Sequence, residues 1–204
     1  MYLIFDLETN GLPRTLGYDK YYHYSNNEPY NSCRIIQISW KLLDQKPAMK
    51  ELSFHTYYIR RDGFSIHNQH IHGITNEIVD QYGEDFTPVM TKFKSDLQKC
   101  EVIIAHSIQF DFNVLLNHCY RYGVHDVCEM LQEKRHFCTK SNSTYIVKKP
   151  TRFEHILYGD PSLRELYFHF FGTYPEFSHR ADHDVTACEL CFRKLMQFQV
   201  FSAV

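Results

Sequence analysis

Four acidic residues and one histidine, carried in three separated blocks, are the part of this sequence that could do chemistry. Asp6 and Glu8 lie in YLIFDLETNGLP near the N-terminus. Asp111 lies in IIAHSIQFDFNVLL at mid-chain, and His179 and Asp184 lie in SHRADHDVTAC towards the C-terminus. Carboxylates gathered in a cleft repel one another, so a fold that assembles four of them needs cations to keep them ionised. A carboxylate cage for two divalent ions with a histidine beside it is suited to hydrolysing phosphodiesters.

Each block has a plainer reading when taken alone. Residues i and i+2 of a strand share a face, so Asp6 and Glu8 point together at the end of the first strand and could offer two oxygens to one hard cation. Two acids at a strand end could equally be solvated turn residues. Asp111 opens a helix, where an acid also serves simply to complement the helix dipole. Asp184 falls in the first turn of the last helix, with His179 in the loop before it. Asp182 and His183 compete for the same assignments, and Asp182 at the helix start suits a cap.

Taken in order, the three blocks resemble the DEDD superfamily of 3′–5′ exonucleases in its histidine-bearing DEDDh (DnaQ-like) branch, nearest to stand-alone or DNA polymerase III epsilon-type exonucleases. DLETNGL is similar to the family's Asp-x-Glu-Thr-Thr-Gly-Leu, with Asn10 for the second Thr. AHSIQFD is similar to Ala-His-Asn-x-x-Phe-Asp, with Ser107 for Asn, and HRADHD to His-Arg-Ala-x-x-Asp, a register that selects Asp184 over Asp182. IHGITNE, FCTKSNST and SLRELYFHFFG resemble further family segments.

The resemblance implies a ribonuclease H-like α/β fold with a central mixed five-stranded sheet flanked by helices. It implies one exonuclease domain over 1–198 and a short tail over 199–204. It implies two Mg²⁺ or Mn²⁺ ions held by Asp6, Glu8, Asp111 and Asp184, with Asp6 bridging both, and His179 as general base. Thr9, Gly11 and Leu12 fall where the family contacts the 3′-terminal nucleotide. His72, Ile74, His106 and Phe110 fall in segments that line the cleft, with Ile74 wedged against terminal bases and His72 bracing its loop. The implied reaction releases nucleoside 5′-monophosphates from single-stranded or frayed 3′ ends. DNA is favoured over RNA, and the chain would act alone or beside a separate polymerase in proofreading or repair. The alternatives are an exoribonuclease, an endonuclease, or a non-catalytic nucleic-acid-binding module of the same fold.

The elements that must position these residues are legible from periodicity. YLIFDL (2–7) reads as a buried strand stopped by Asn10-Gly11-Leu12-Pro13. RIIQISWKLL (34–43) and LSFHTYYI (52–59) alternate and would pair with it as consecutive antiparallel strands. Residues 14–33 read as a long polar surface loop. Helical spacing covers 74–83, 88–100, 110–123, 162–172 and 181–198, with Thr75 and Thr87 as candidate caps. EVIIAH (101–106) suits a central strand, and 132–140 is the candidate for the last one. Residues 136–160 are otherwise irregular and carry a basic stretch from Lys148 to Arg152.

The 204 residues are 44% hydrophobic and 23% charged, with a formal net charge of −2. That balance argues against holding long duplex by bulk charge and suits gripping a few terminal nucleotides. Seven cysteines without a scaffold spacing, no secretory signal and no apolar run near membrane length lead us to expect an intracellular protein, cytoplasmic or nuclear, and not secreted. Cys188, on the apolar stripe of the last helix, and its neighbour Cys191 read as core. The register makes one sharp prediction. Asp184→Ala abolishes metal-dependent hydrolysis of a single-stranded oligonucleotide and Asp182→Ala retains it; the opposite pattern would move the register.

Overall fold

The computed structural model describes residues 1–45, 47–152, 156–176 and 179–198, so the expected tail over 199–204 lies outside the described residues. Strand β1 (Tyr2–Thr9) is followed by a small hairpin, β2 (Thr15–Gly17) and β3 (Lys20–Tyr21), and then by β4 (Ile35–Leu43) and β5 (Glu51–Tyr58). Helices α1 (Gln69–His72), α2 (Asn76–Tyr82) and α3 (Phe86–Leu97) lead to β6 (Val102–Ala105), α4 (Ile108–Arg121), α5 (His125–Glu133) and β7 (Arg135–Cys138). Helices α6 (Thr144–Val147), α7 (Leu163–Phe171) and α8 (Ala181–Gln197) complete the described chain.

The main sheet has five strands in the order β5-β4-β1-β6-β7. β4 is antiparallel to both β1 and β5, while β6 is parallel to both β1 and β7. This is the expected mixed sheet flanked by helices, with the last strand inside 132–140. The alternation of β1 sorts its side chains between two cores. Leu3, Phe5 and Leu7 pack with residues of α3, α4 and α5, whereas Ile4 packs with Leu166 of α7 and with Val185, Cys188, Cys191 and Phe192 of α8. Asp6 and Glu8 follow Ile4 at two-residue spacing and so share the α8 side.

The same alternation in β4 has an outcome that its pattern disguises. All nine residues of this strand are buried. The polar set Gln37, Ser39 and Lys41 therefore does not face solvent: it faces α8. Gln37 Oε1 accepts from the backbone N–H of Ala181 at 3.1 Å, and its Nε2 donates to Asp182 at 3.4 Å. Ser39 bonds Thr56 of β5 at 2.7 Å. Lys41 Nζ pairs with Glu189 of α8 at 2.8 Å and with Glu51 at 3.0 Å, and Arg193 holds the other oxygen of Glu189 at 2.8 Å. A buried polar group is tolerated when it is hydrogen-bonded, and each of these is. The long helix is thus fastened to the sheet by polar contacts at its start and middle and by apolar packing along the rest.

Some local expectations change. The segment 14–33 is not all surface loop: Tyr30 and Cys33 are fully buried and a hairpin forms within it, because Tyr30 packs into the core and donates its hydroxyl to the Tyr22 carbonyl at 2.6 Å. Thr75 caps α2 by accepting from the Ile78 N–H, but Thr87 lies inside α3, which starts at Phe86. Residues 125–133 are helical, with Val127, Cys128 and Leu131 buried, so the start of the candidate strand 132–140 is helix and β7 begins at Arg135. α7 begins with a full capping box, Ser162 with Glu165, and ends on Gly172 in the left-handed region.

Lys41→Met removes one partner of a largely buried ion pair and is expected to cost about 3 kcal/mol in urea denaturation. The double variant with Glu189→Leu should recover part of that loss. A single variant as stable as the parent chain would show that the pair does not fasten α8.

Candidate active site

The β1/β6 ladder ends at Ile4 and Ile104, and β6 itself stops at Ala105. Past that point the edge of β1 on the β6 side is open, and α4 begins there. The freed Leu7 backbone amide hydrogen-bonds the Asp111 carboxylate in the first turn of α4. A crevice outside the carboxyl ends of parallel strands is where α/β sheets characteristically bind ligands. From the other side, the first turn of α8 delivers Asp184, whose Oδ2 accepts from the His179 backbone N–H at 2.9 Å. His179 holds a left-handed φ of 66°, a strained setting for a side chain with a Cβ.

One cleft of about 480 Å³ is lined by Asp6, Glu8, Asp111, His179 and Asp184 together. All five residues singled out by their chemistry, from blocks far apart in sequence, therefore meet. Carboxylate oxygens of Asp6, Glu8 and Asp184 lie within 4.8 Å of one another. Asp111 lines the same cleft but stands outside that triplet.

The electrostatics follow from the crowding. Burial holds the Asp6 carboxyl well above the usual carboxylate range, and the charges of Asp111, Asp184 and Glu8 raise it further. Glu8 is pushed up to about 8 by burial, then by Asp184, Asp111 and Asp182. Asp111 is pushed up to about 8 by burial, against the backbone amides it accepts from. Asp184 rises to about 6 through burial, opposed by the His179 amide and by the two nearby histidines. Two lysines, Lys140 and Lys149, also line the cleft, but Lys149 is paired with Glu165 at 2.9 Å. The protein therefore brings three oxygen donors together without enough positive charge of its own to hold them ionised. That donor set, all hard oxygen, fits a divalent ion such as Mg²⁺ or Mn²⁺.

The remaining expected contacts divide. Phe110 and His106 line the cleft. Both ring nitrogens of His106 are engaged, Nε2 with the Pro161 carbonyl at 3.1 Å and Nδ1 with Thr139 Oγ1 at 2.9 Å, and burial lowers its pKa to about 4. It is a neutral strut between the end of β6 and the loop before α7. Thr9 is buried, with its hydroxyl donating to the Gly11 carbonyl at 2.7 Å. A Cβ on Gly11 would come within 2.5 Å of the Ser32 carbonyl oxygen, so only glycine fits. Leu12 is 74% exposed and free to meet a ligand. His72 accepts the Ile74 N–H on Nδ1 at 3.0 Å, bracing its loop, and its buried Nε2 has no hydrogen-bond partner among the described residues. Ile74 does not reach out to wedge a base: it is buried beside Ile36, Ile66 and Val79, because the following helix α2 packs it against the sheet. Asp182 is not the cap of α8; it accepts from Gln37 and pairs with Arg180, whose backbone occupies the cap position.

Sequence reasoning missed Gln37. The signal was the period-2 polar set in a strand otherwise apolar. Gln37 lies opposite Glu8 in the β1/β4 register and Ser39 opposite Asp6. The side chain that binds the first amide of α8 is thus the cross-strand neighbour of one of the acids.

Residues 3–190 match the family RNase_T, described as Exonuclease: the chain belongs to this family and is a DEDDh-type 3′–5′ exonuclease. Among solved structures, the chain is similar over its full length to 95% of Exonuclease X in complex with 5′-overhanging duplex DNA, at 20% identity and TM-score 0.57. It is similar over 98% of its length to 42% of E. coli Exonuclease I in complex with a dT13 oligonucleotide, at 15% identity and TM-score 0.64. It is similar over 97% of its length to 40% of a moderately thermophilic Exonuclease I from Methylocaldum szegediense, at 16% identity and TM-score 0.65. The chain thus spans less than half of the two Exonuclease I chains. No curated protein matches the sequence. Among the described residues no helix is long and apolar enough to cross a membrane.

The raised carboxyls fix the sign of a pH effect. Each holds its proton more tightly folded than unfolded, so the stability this gives is present below the ordinary carboxylate range and is lost as pH rises through about 6 to 8. In EDTA, Tm should fall between pH 5 and pH 8, and Mn²⁺ should reverse the fall at the upper end. Asp6→Asn, which removes one of the mutually repelling charges, should raise Tm in EDTA at pH 8 by a few degrees, from about 1 kcal/mol. A lower Tm for that variant would show that the cluster does not repel itself.

Proposed function

We propose that this exonuclease removes nucleotides one at a time from the 3′ end of single-stranded or frayed DNA, releasing nucleoside 5′-monophosphates. The observation that carries the reading is the meeting of Asp6, Glu8 and Asp184 oxygens within 4.8 Å, with His179 held beside them by its backbone bond to Asp184. Asp6, Glu8 and Asp184 hold a divalent ion, Mg²⁺ or Mn²⁺, and Asp111 completes the arrangement for a second. Such ions supply positive charge to the scissile phosphate and acidify water.

The chain's own residues do the rest. His179, on an exposed loop at the cleft, takes the proton of the attacking water. The oxygen so freed attacks the last phosphorus, and the bond to the 3′-oxygen of the preceding nucleotide breaks in line. Phe110, half-buried in the cleft lining, and the exposed Leu12, in the turn after β1, offer apolar contacts to the terminal nucleotide. His72 and His106 act by bracing, not by contact: His72 is buried with Nδ1 on the Ile74 N–H, and both ring nitrogens of His106 are engaged. DNA is the favoured substrate because the structural relatives include proteins solved with DNA. An action beside a separate polymerase fits the same site.

Purified protein with Mg²⁺ or Mn²⁺ should shorten a 5′-labelled single-stranded DNA from its 3′ end, faster than a matched RNA, and should spare circular single-stranded DNA. EDTA should abolish the ladder. His179→Ala should lower kcat on the order of 10²–10⁴-fold while leaving metal binding largely intact. Full activity in that variant would remove His179 from the mechanism, and a faster RNA ladder would make the chain an exoribonuclease.

A further inference from the structure

The hairpin of β2 and β3 touches the carboxylate cleft through two of its lining residues, Asp160 and Lys140. Its tip is Tyr18, 73% exposed, with Asp19 next to it at a left-handed φ of 51°. The Tyr18 hydroxyl donates to Asp160 Oδ2 at 2.7 Å, and Asp160 lines the cleft. Thr144 donates to the other oxygen of Asp160, so the carboxylate is fixed from two sides. Lys140, also in the cleft wall, places its Nζ 5.4 Å from the centre of the Tyr18 ring. At the base of the hairpin, Tyr21 is near enough to feel the charge of Asp111. The hairpin therefore links Tyr21, within reach of the Asp111 charge, to Tyr18, fixed on the cleft residue Asp160. Lys140 makes no ion pair among the described residues, unlike Lys149, the other lysine of the cleft.

An exposed aromatic ring beside an unpaired ammonium, continuous with a phosphodiester-cleaving site, has the two chemistries that hold single-stranded nucleic acid: a face for base stacking and a cation for the backbone. We infer that Tyr18 and Lys140 form a subsite for the nucleotide upstream of the scissile bond, Tyr18 stacking its base and Lys140 holding its phosphate. The inference rests on the 3′-end reading above and adds a specificity element to it. In duplex the base faces are covered by their neighbours, so Tyr18 gains contact only with a strand that is single or frayed. The tether to Asp160 keeps the ring in place before substrate arrives.

The test compares kcat/KM for a ten-nucleotide oligo(dT) with that for the same decamer carrying an abasic residue in place of the nucleotide upstream of the last phosphodiester. In Tyr18→Ala the ratio should fall on the order of tenfold, through KM rather than kcat, because stacking on one aromatic is lost. Tyr18→Phe, which keeps the ring and loses the hydroxyl with its tether to Asp160, should fall less than Tyr18→Ala. Lys140→Gln should flatten the salt dependence of log KM for the decamer by about 0.7, the contribution of one phosphate on a single strand. A ratio unmoved by Tyr18→Ala, or a Phe variant as impaired as the Ala variant, would overturn the stacking assignment. An unchanged salt slope would overturn that of Lys140. Parent protein that cleaves neither substrate would overturn the 3′-end reading itself, and this inference with it.

Discussion

The repulsion among carboxylates at the end of β1 is the constraint to which the rest of the structure answers. Asp6, Glu8 and Asp184 are held close enough to share a cation, and Asp111 stands beside them. Desolvation and mutual charge hold all four above their ordinary titration range. Nothing in such a cluster favours assembly, so the surrounding fold must impose it. β1 is the right element to carry the first two acids because both of its faces are packed. Leu3, Phe5 and Leu7 anchor it against one helical layer and Ile4 against the other.

The second imposition is on α8. A long helix packed only by Val185, Cys188, Phe192 and Leu195 could slide along the sheet at little cost, and Asp184 would slide with it. The polar stripe of β4 removes that freedom. Gln37 fixes the first turn by binding the Ala181 amide, and Lys41 fixes the middle through Glu189. Buried polar contacts of this sort add less to stability than to register, since each has one satisfied geometry. The His179 backbone then hangs from Asp184, so the orientation of the histidine depends on the same register.

Much of this was legible in the sequence, and the reasons are specific. The strand YLIFDL, the acids at its end and the helices over 110–123 and 181–198 are strongly periodic, and their motif residues keep a fixed spacing. Corrections came where tertiary packing overrides pattern. Gln37, Ser39 and Lys41 alternate as a solvent face would, yet α8 covers them; period 2 gives the shared face but not what lies over it. Ile74 sits in a polar loop sequence, yet α2 carries it into the core. The polar run 14–33 hides the buried Tyr30 and the hairpin, because a three-residue strand is too short for periodicity to register. The helix over 125–133 buries only Val127, Cys128 and Leu131 and reads mostly as polar.

We propose that these acids form a cation site whose charge is suppressed until a metal arrives. Calorimetric titration of Mn²⁺ into the metal-free chain at pH 7, in two buffers of different ionisation enthalpy, measures it directly. Carboxyls raised to about 8 keep protons that the ion must displace, so binding should release on the order of one proton or more per chain. Binding with no proton release would contradict the electrostatic account, and no binding at all would remove the metal from it.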